Sequence, residues 1–127
     1  MQTVASFPKI TIGVDLGDSK SHICEIDEGA QIVKETSIPT TRAGVEKYFS
    51  GRESCRVVLE AGTHSPWFSR QVKALGHEDV VANPSKVYGN RRRTKRNDRT
   101  DARFLARQGR ADIGRVPVPS GATRAAE

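Results

Sequence analysis

Four acidic residues in this sequence have the type and spacing that metal-assisted phosphodiester chemistry requires. Asp15 ends the alternating segment KITIGVD, Glu60 ends the apolar run CRVVLE, and Asp98 and Asp101 lie close together in RNDRTDARFLA. Four carboxylates from three elements can hold two Mg²⁺ ions, with Mn²⁺ as a substitute, because hard cations prefer carboxylate oxygens. Two ions about 3.5–4 Å apart can activate an attacking oxygen and stabilise a leaving oxygen. These acids are therefore the candidate catalytic and metal-binding residues.

Each of the four acids also has a purely structural explanation. Asp15 can hydrogen-bond its own loop as a turn residue, and Glu60 can be an exposed strand end. Asp98 and Asp101 can complement the dipole at the start of a helix that Asn97 or Thr94 caps. However, a carboxylate on the packing side of a helix is costly unless it is paired, hydrogen-bonded or bound to metal.

Several other residues near these acids are expected to play lesser parts. Asp18 lies in a loop and Glu25 in a strand without a partner motif, so we expect neither to bind metal. His64, four residues after Glu60, is the histidine that we place near the site. Tyr88 and Trp67 are candidates for stacking on nucleic-acid bases, although Trp67 is rather expected in the core or in an interface.

The most basic part of the chain surrounds Asp98 and Asp101. From Lys86 to Arg110 there are ten Lys or Arg and two Asp, a local net charge of +8 in a chain of +6. This concentration favours a polyanion partner, whose phosphates such residues hold without reading sequence. The residues expected to contact nucleic acid are Arg91, Arg92, Arg93, Lys95, Arg96, Arg99, Arg103 and Arg107. The alternative is a solvated helix face with internal pairing, such as Asp98 with Arg103.

Periodicity and turn residues predict the elements that must position these side chains. The expected order is a strand at Lys9–Asp15, a strand at Ser21–Asp27, a strand at Ala30–Pro39, a helix at Thr41–Phe49, a strand at Cys55–Glu60, a helix capped by Ser65, a strand at His77–Asn83 and a helix from about Asn97. A tight turn at Glu28-Gly29 is expected between the second and third strands, and Gly51 and Gly76 are expected to end the first two helices.

A three-stranded meander followed by alternating helices and strands indicates an α/β fold with a mixed sheet. If the first and fourth strands are parallel neighbours, Asp15 and Glu60 emerge at the same edge. Open α/β sheets bind ligands at the carboxyl ends of such strands. A helix that packs Asp98 and Asp101 over that edge would complete the set of four carboxylates.

The length of 127 residues and the hydrophobic content of 35% suit one modest domain. We assign this domain to residues 9–110, after a tail at 1–8 and before the start of a linker at 111–127. There is no apolar run of the roughly 20 residues that a membrane span needs, and no export signal, so a cytoplasmic protein is expected. Cys24 and Cys55 lack metal-ligand spacing and are expected to be buried, reduced thiols.

Three segments together resemble a known family. GVDLGDSKSH at 13–22, VLEAGTHSPW at 58–67 and KRNDRTDARFLA at 95–106 are similar to the motifs of the DEDD insertion-sequence transposases, a RuvC-like family that includes the Piv/MooV-type DNA invertases. The resemblance implies that the four acids are the DEDD tetrad on a ribonuclease-H-like fold. It also implies Mg²⁺-dependent DNA strand cleavage and transfer.

The family pattern continues beyond residue 127, into a second domain that supplies a serine nucleophile. Its members select DNA targets with a guide RNA, the bridge RNA. By this resemblance we expect DNA and bridge RNA as partners, a homo-oligomer at full length, and association with the bacterial nucleoid. We expect the present chain to be an N-terminal fragment or remnant that is inactive by itself.

Two other functions stay open at the level of sequence. IGVDLGDSK also resembles the phosphate loop of actin-like ATPases and sugar kinases, although the chain is short for two lobes and lacks a second glycine-rich loop. The other possibility is a non-catalytic module that binds nucleic acid without using its acids.

Overall fold

The computed structural model describes residues 8–82 and 98–111, except for the side chains of residues 98–101 and 111. One five-stranded mixed sheet forms the centre of the described part, in the order β3-β2-β1-β4-β5. Its strands are β1 (Thr11–Asp15), β2 (Lys20–Ile26), β3 (Ile32–Pro39), β4 (Arg56–Glu60) and β5 (Glu78–Ala82). The expectation of an α/β fold with a mixed sheet is confirmed.

The first three strands form the predicted antiparallel meander, and the last two are parallel to β1. Parallel neighbours need a crossover connection, and helices supply it here. α1 (Arg42–Phe49) connects β3 to β4, and α2 (Ser65–Ala74) connects β4 to β5. α3 (Asp98–Ala111) follows β5 in the chain.

The sheet is covered on both faces, because alternate residues of its central strands point to opposite sides. Ile12 and Val14 of β1 lie in a core cluster with Phe49 of α1 and Phe68 of α2. Val58 of β4 lies on the other face, where it packs with the helix α3. None of the helices in the described ranges combines the length and the apolar character needed to cross a bilayer.

The predicted glycines lie just after the ends of α1 and α2. Gly51 and Gly76 follow these helices with φ of +72° and +99°, the left-handed conformation that glycine adopts without strain. The cap predicted at Ser65 is wrong: His64 is the cap residue, and Ser65 is the first residue of α2. The Ser65 hydroxyl instead bonds the amide and the carbonyl of Gly62, both at 3.0 Å, and so closes the preceding turn.

The turn between β2 and β3 is longer than expected, and β3 begins at Ile32 rather than Ala30. Oδ1 of Asp27 accepts hydrogen bonds from the amides of Gly29 and Gln31, both at 2.9 Å. Ala30 has a φ of +64°, which is incompatible with a strand. The side chain of Asp27 therefore organises a five-residue loop in place of a two-residue turn.

Candidate active site at the carboxyl edge of the sheet

Asp15 and Glu60 end two neighbouring parallel strands at the same edge of the sheet. In the register between β1 and β4, Val14 lies opposite Leu59, and the two acids follow this pair directly. Both side chains are partly buried. Asp15 also lies opposite His22 of the antiparallel strand β2. Carboxylates at the ends of central strands have little freedom to move apart, because ladder hydrogen bonds hold both backbones.

Helix α3 runs antiparallel to β1 and lies very close to it. A Cβ atom on Gly13 would collide with the carbonyl oxygen of Ala102 and lie 2.5 Å from the amide nitrogen of Ala106. Further along the helix, a Cβ atom on Gly109 would collide with Cγ2 of Val58 and lie 3.5 Å from Thr11. The helix thus runs from near Gly13 back towards Thr11, and its first turn lies towards the end of β1 that carries Asp15.

That first turn carries Asp98 and Asp101 in the sequence. Their backbone belongs to α3, and their side chains lie outside the described part of the structure. The predicted apolar face of this helix is confirmed, because Ala102, Leu105 and Ala106 are buried. Among the side chains described, no three His, Cys, Asp or Glu residues are grouped as a metal site. The four-acid site therefore stays a prediction.

A line of polar side chains connects the loops that follow β1 and β4. Nε2 of His64 lies 3.2 Å from Oδ1 of Asp18, and Nε1 of Trp67 donates to Nδ1 of His64 at 3.2 Å. The indole nitrogen can only donate, so Nδ1 is the acceptor and Nε2 carries the proton shared with Asp18. The guanidinium of Arg42 lies 5.5 Å from the Trp67 ring centroid. Sequence reasoning placed His64 near the site and missed its partners, which no local pattern indicates.

The described part of the basic surface lies on α3. Arg103 donates to both carboxylate oxygens of Glu35 on β3, at 2.5 and 2.9 Å, which raises the pKa of Arg103. The described partner of Arg103 is therefore on another element and not on its own helix. Arg107 is exposed, and Arg110 donates to the carbonyl oxygen of Glu28 at 3.1 and 3.3 Å.

Most of the predicted nucleic-acid contacts fall outside the described residues. Arg91, Arg92, Arg93, Lys95 and Arg96 lie there, as does Tyr88, and so does the side chain of Arg99. Their contribution to binding stays a prediction. Trp67 is partly buried and packs against the core cluster, as expected.

A buried ionic cluster on the α1 face of the sheet was not expected. Arg52 donates to both oxygens of Glu25, at 2.9 and 3.0 Å, and the hydroxyl of Tyr48 donates to the same carboxylate. Burial alone would raise the pKa of Glu25, but the hydrogen bonds from Arg52 and Tyr48 outweigh it and hold the pKa below its ordinary value. Glu25 thus has a structural role.

Both cysteines are free and buried, as predicted. Burial raises the pKa of Cys24 and of Cys55 to about 11, so neither thiol is a nucleophile at neutral pH. The backbone amide of Cys55 donates to Nδ1 of His77 at 3.1 Å, and Nε2 of His77 lies 2.7 Å from the carbonyl oxygen of Phe49. His77 is therefore a satisfied core residue.

Comparison with known proteins decides the family. The model of the DEDD transposases of the IS110 type, described as a transposase, matches residues 12–125, nearly the whole chain. The chain belongs to this transposase family. No curated protein sequence matches this transposase chain.

Among solved structures, the transposase chain is similar to two sugar kinases. The polyphosphate/ATP-glucomannokinase of Arthrobacter sp. strain KM is 18% identical over 66% of this chain and 47% of the kinase, with a TM-score of 0.41. The ROK family glucokinase of Streptomyces griseus, solved with glucose and AMPPNP, is 22% identical over 79% of this chain and 38% of the kinase, with a TM-score of 0.40. The chain spans less than half the length of either kinase. Scores at this level carry no argument about ATP binding, which stays an alternative prediction.

Proposed function

We propose that Asp15, Glu60, Asp98 and Asp101 form the metal centre of a DNA transposase domain that cleaves and transfers DNA strands. One observation carries the proposal: β1 and β4 are parallel neighbours that end at Asp15 and Glu60, while α3 runs antiparallel to β1 with its first turn towards that edge. Family membership supports the reaction class. The meander followed by two parallel strands supports a ribonuclease-H-like fold.

The donor set fits Mg²⁺ by its chemistry. Carboxylate oxygens are the ligands this cation prefers, and a cation also relieves the repulsion among acids that meet at one edge. When bound, the metal supplies activation of the attacking oxygen and charge neutralisation at the leaving oxygen. In this proposal Asp15 and Glu60 are held by the strands that they end, and Asp98 and Asp101 by the first turn of a helix that packs closely on Gly13.

The partners follow from the reaction class and the charge. DNA is the proposed substrate, and basic residues from Arg91 to Arg107 are its proposed backbone contacts. By family resemblance, bridge RNA and further copies of the full-length protein are the proposed partners in a bacterial cytoplasm. Metal binding is the part of this proposal that is tested first.

Metal binding is tested by thermal unfolding in chelator and in increasing Mg²⁺ or Mn²⁺. At a metal concentration of about 100 times Kd, we expect a gain of about 2.7 kcal/mol in the free energy of unfolding. Asp15→Asn should abolish this gain.

Asp18→Asn is the matched control, since it makes the same change three residues away on a fully exposed side chain. It should keep the metal-dependent gain. A melting temperature that does not change across millimolar Mg²⁺ and Mn²⁺ would contradict the metal centre. Equal losses in Asp15→Asn and Asp18→Asn would contradict the assignment of Asp15.

A further inference from the structure

A positively charged groove lies between the edge strand β3 and helix α1, on the face of the sheet opposite α3. Its volume is about 660 Å³. Three cationic residues line it, together with hydroxyl groups and the N-terminal end of α1, and no acidic residue of the described part of the chain does. The cations are Lys34, Lys47 and Arg52, and hydroxyls come from Thr36, Ser37 and Thr41.

The excess charge of the groove comes from its two lysines. The charge of Arg52 is balanced by the buried carboxylate of Glu25. Nζ of Lys34 lies 5.2 Å from the centroid of the Tyr48 ring, a contact that positions the amine, and Lys34 also interacts electrostatically with its cross-strand neighbour Glu25. The single carboxylate of Glu25 offsets one of the three cationic charges, so two positive charges remain. Lys47 is exposed on α1. The first turn of α1 contains no acidic residue, so the positive end of the helix dipole adds to the same field.

The groove lies on one side of the strand β3. The basic face of α3, which carries Arg103 and Arg107, lies on the other side. Lys34 and Glu35 are consecutive residues of β3, so their side chains point to opposite faces of the sheet. Lys34 lines the groove, whereas Glu35 holds Arg103 on the α3 side. β3 is an edge strand of the sheet, so a strand of nucleic acid can pass from one face to the other around its outer edge.

We propose that this groove binds the phosphodiester backbone of a nucleic acid strand that passes around the edge of β3 from the basic face of α3. The occupant is defined by its chemistry: repeated phosphates, which Lys34, Lys47 and the hydroxyl groups contact without reading bases. This inference takes from the proposed function only that the partner is a nucleic acid. It adds a second binding surface, remote from the carboxyl edge.

The test compares two double variants of the complete chain that lose the same charge. Lys34→Gln with Lys47→Gln removes the lysines of the groove. Lys9→Gln with Lys73→Gln removes two exposed lysines that do not line it. Binding to single-stranded RNA, single-stranded DNA and duplex DNA of one sequence is measured from about 50 to 200 mM salt. The slope of log K against log salt should fall by about 1.4 for a single strand and about 1.8 for the duplex in the groove variant.

The control variant should keep the slope of the unaltered protein. A loss confined to the RNA arm, or to the DNA arms, supports the groove and identifies its occupant. Equal slopes in the two double variants overturn the proposal, as does a lack of binding by the unaltered protein in all three arms. If the slopes are equal while Asp15→Asn still loses metal-dependent stabilisation, the groove fails and the metal centre stands.

Discussion

The carboxylate of Glu25 illustrates how one side chain is kept charged inside this protein. Its side chain is only 6% exposed, yet Arg52 and Tyr48 satisfy both of its oxygens. An ionised carboxylate in such a position is stable only because its partners replace the lost water. Removing one partner leaves the other charge buried, which makes the cluster a sensitive point for stability.

Glu25→Gln should lower the free energy of unfolding at pH 7 by about 2 kcal/mol, because Arg52 loses its charged partner in a half-buried position. The folded-state pKa of Glu25 lies below the ordinary value of 4.5. Its contribution is therefore complete above pH 4.5 and is lost as pH falls through the folded-state pKa. Chemical denaturation between pH 3 and 7 should show a flatter acid limb for this variant. Glu46→Gln, on the exposed side of α1, is the control and should show the same pH dependence of unfolding free energy as the unaltered protein. Parallel pH curves for all three proteins would contradict the role given to Glu25.

Close packing of α3 on the sheet is the feature on which the candidate site depends most. Gly13 faces Ala102 and Ala106, and Gly109 faces Val58, so small residues from both elements let the backbones approach. Arg103 of this helix forms an ion pair with Glu35 of β3, and Arg110 donates to the backbone carbonyl oxygen of Glu28 in the loop before β3. The position of Asp98 and Asp101 relative to Asp15 is therefore set by how closely this one helix packs.

Gly13→Ala should displace α3, because the added methyl group meets the backbone of Ala102, which cannot rotate away. We expect a loss of about 1–3 kcal/mol in unfolding free energy, together with weaker metal-dependent stabilisation. Gly62→Ala is the control, since the nearest atom to its added methyl would be 4.0 Å away. Unchanged stability of Gly13→Ala in denaturant titrations would contradict the close contact.

Along the whole chain, positive charge is concentrated in one segment. The segment from Lys86 to Arg110 carries +8, so the remainder of a chain of +6 sums to −2. The candidate metal edge gathers acids, whereas the groove and the α3 face present cations. Metal binding and nucleic-acid binding should therefore be separable by mutation.

Asp15→Asn should abolish metal-dependent stabilisation and leave the salt dependence of nucleic-acid binding in chelator unchanged. Arg96→Ala combined with Arg99→Ala should do the reverse, lowering the salt slope by about 1.4–1.8 while the metal effect remains. Fluorescence anisotropy in chelator and thermal unfolding with metal measure the two effects. Loss of both effects in either variant would show that the two sites are not independent.

Much of the fold was predictable because its signals are local. Alternating apolar residues indicated β1, a short apolar run indicated β4, the helical spacing of Val45 and Phe49 indicated α1, and Gly51 and Gly76 marked helix ends. The errors fell where one side chain organises a turn. Asp27 lengthened the loop before β3, and Ser65 bonded Gly62 instead of capping α2. The conformations of these two turns depend on side-chain hydrogen bonds, which the periodicity of apolar residues does not indicate.

The sequence by itself determined the family, the order of the elements and the positions of Asp15 and Glu60 at strand ends, because these depend on residue types and spacing along the chain. Tertiary structure alone decided that β1 and β4 are parallel neighbours and that α3 runs antiparallel to β1 over Gly13. It also decided that Glu25 binds Arg52, that Arg103 binds Glu35 and that Asp18 meets His64. These partners lie 27, 68 and 46 residues apart, and only the folding of the whole sheet brings them together.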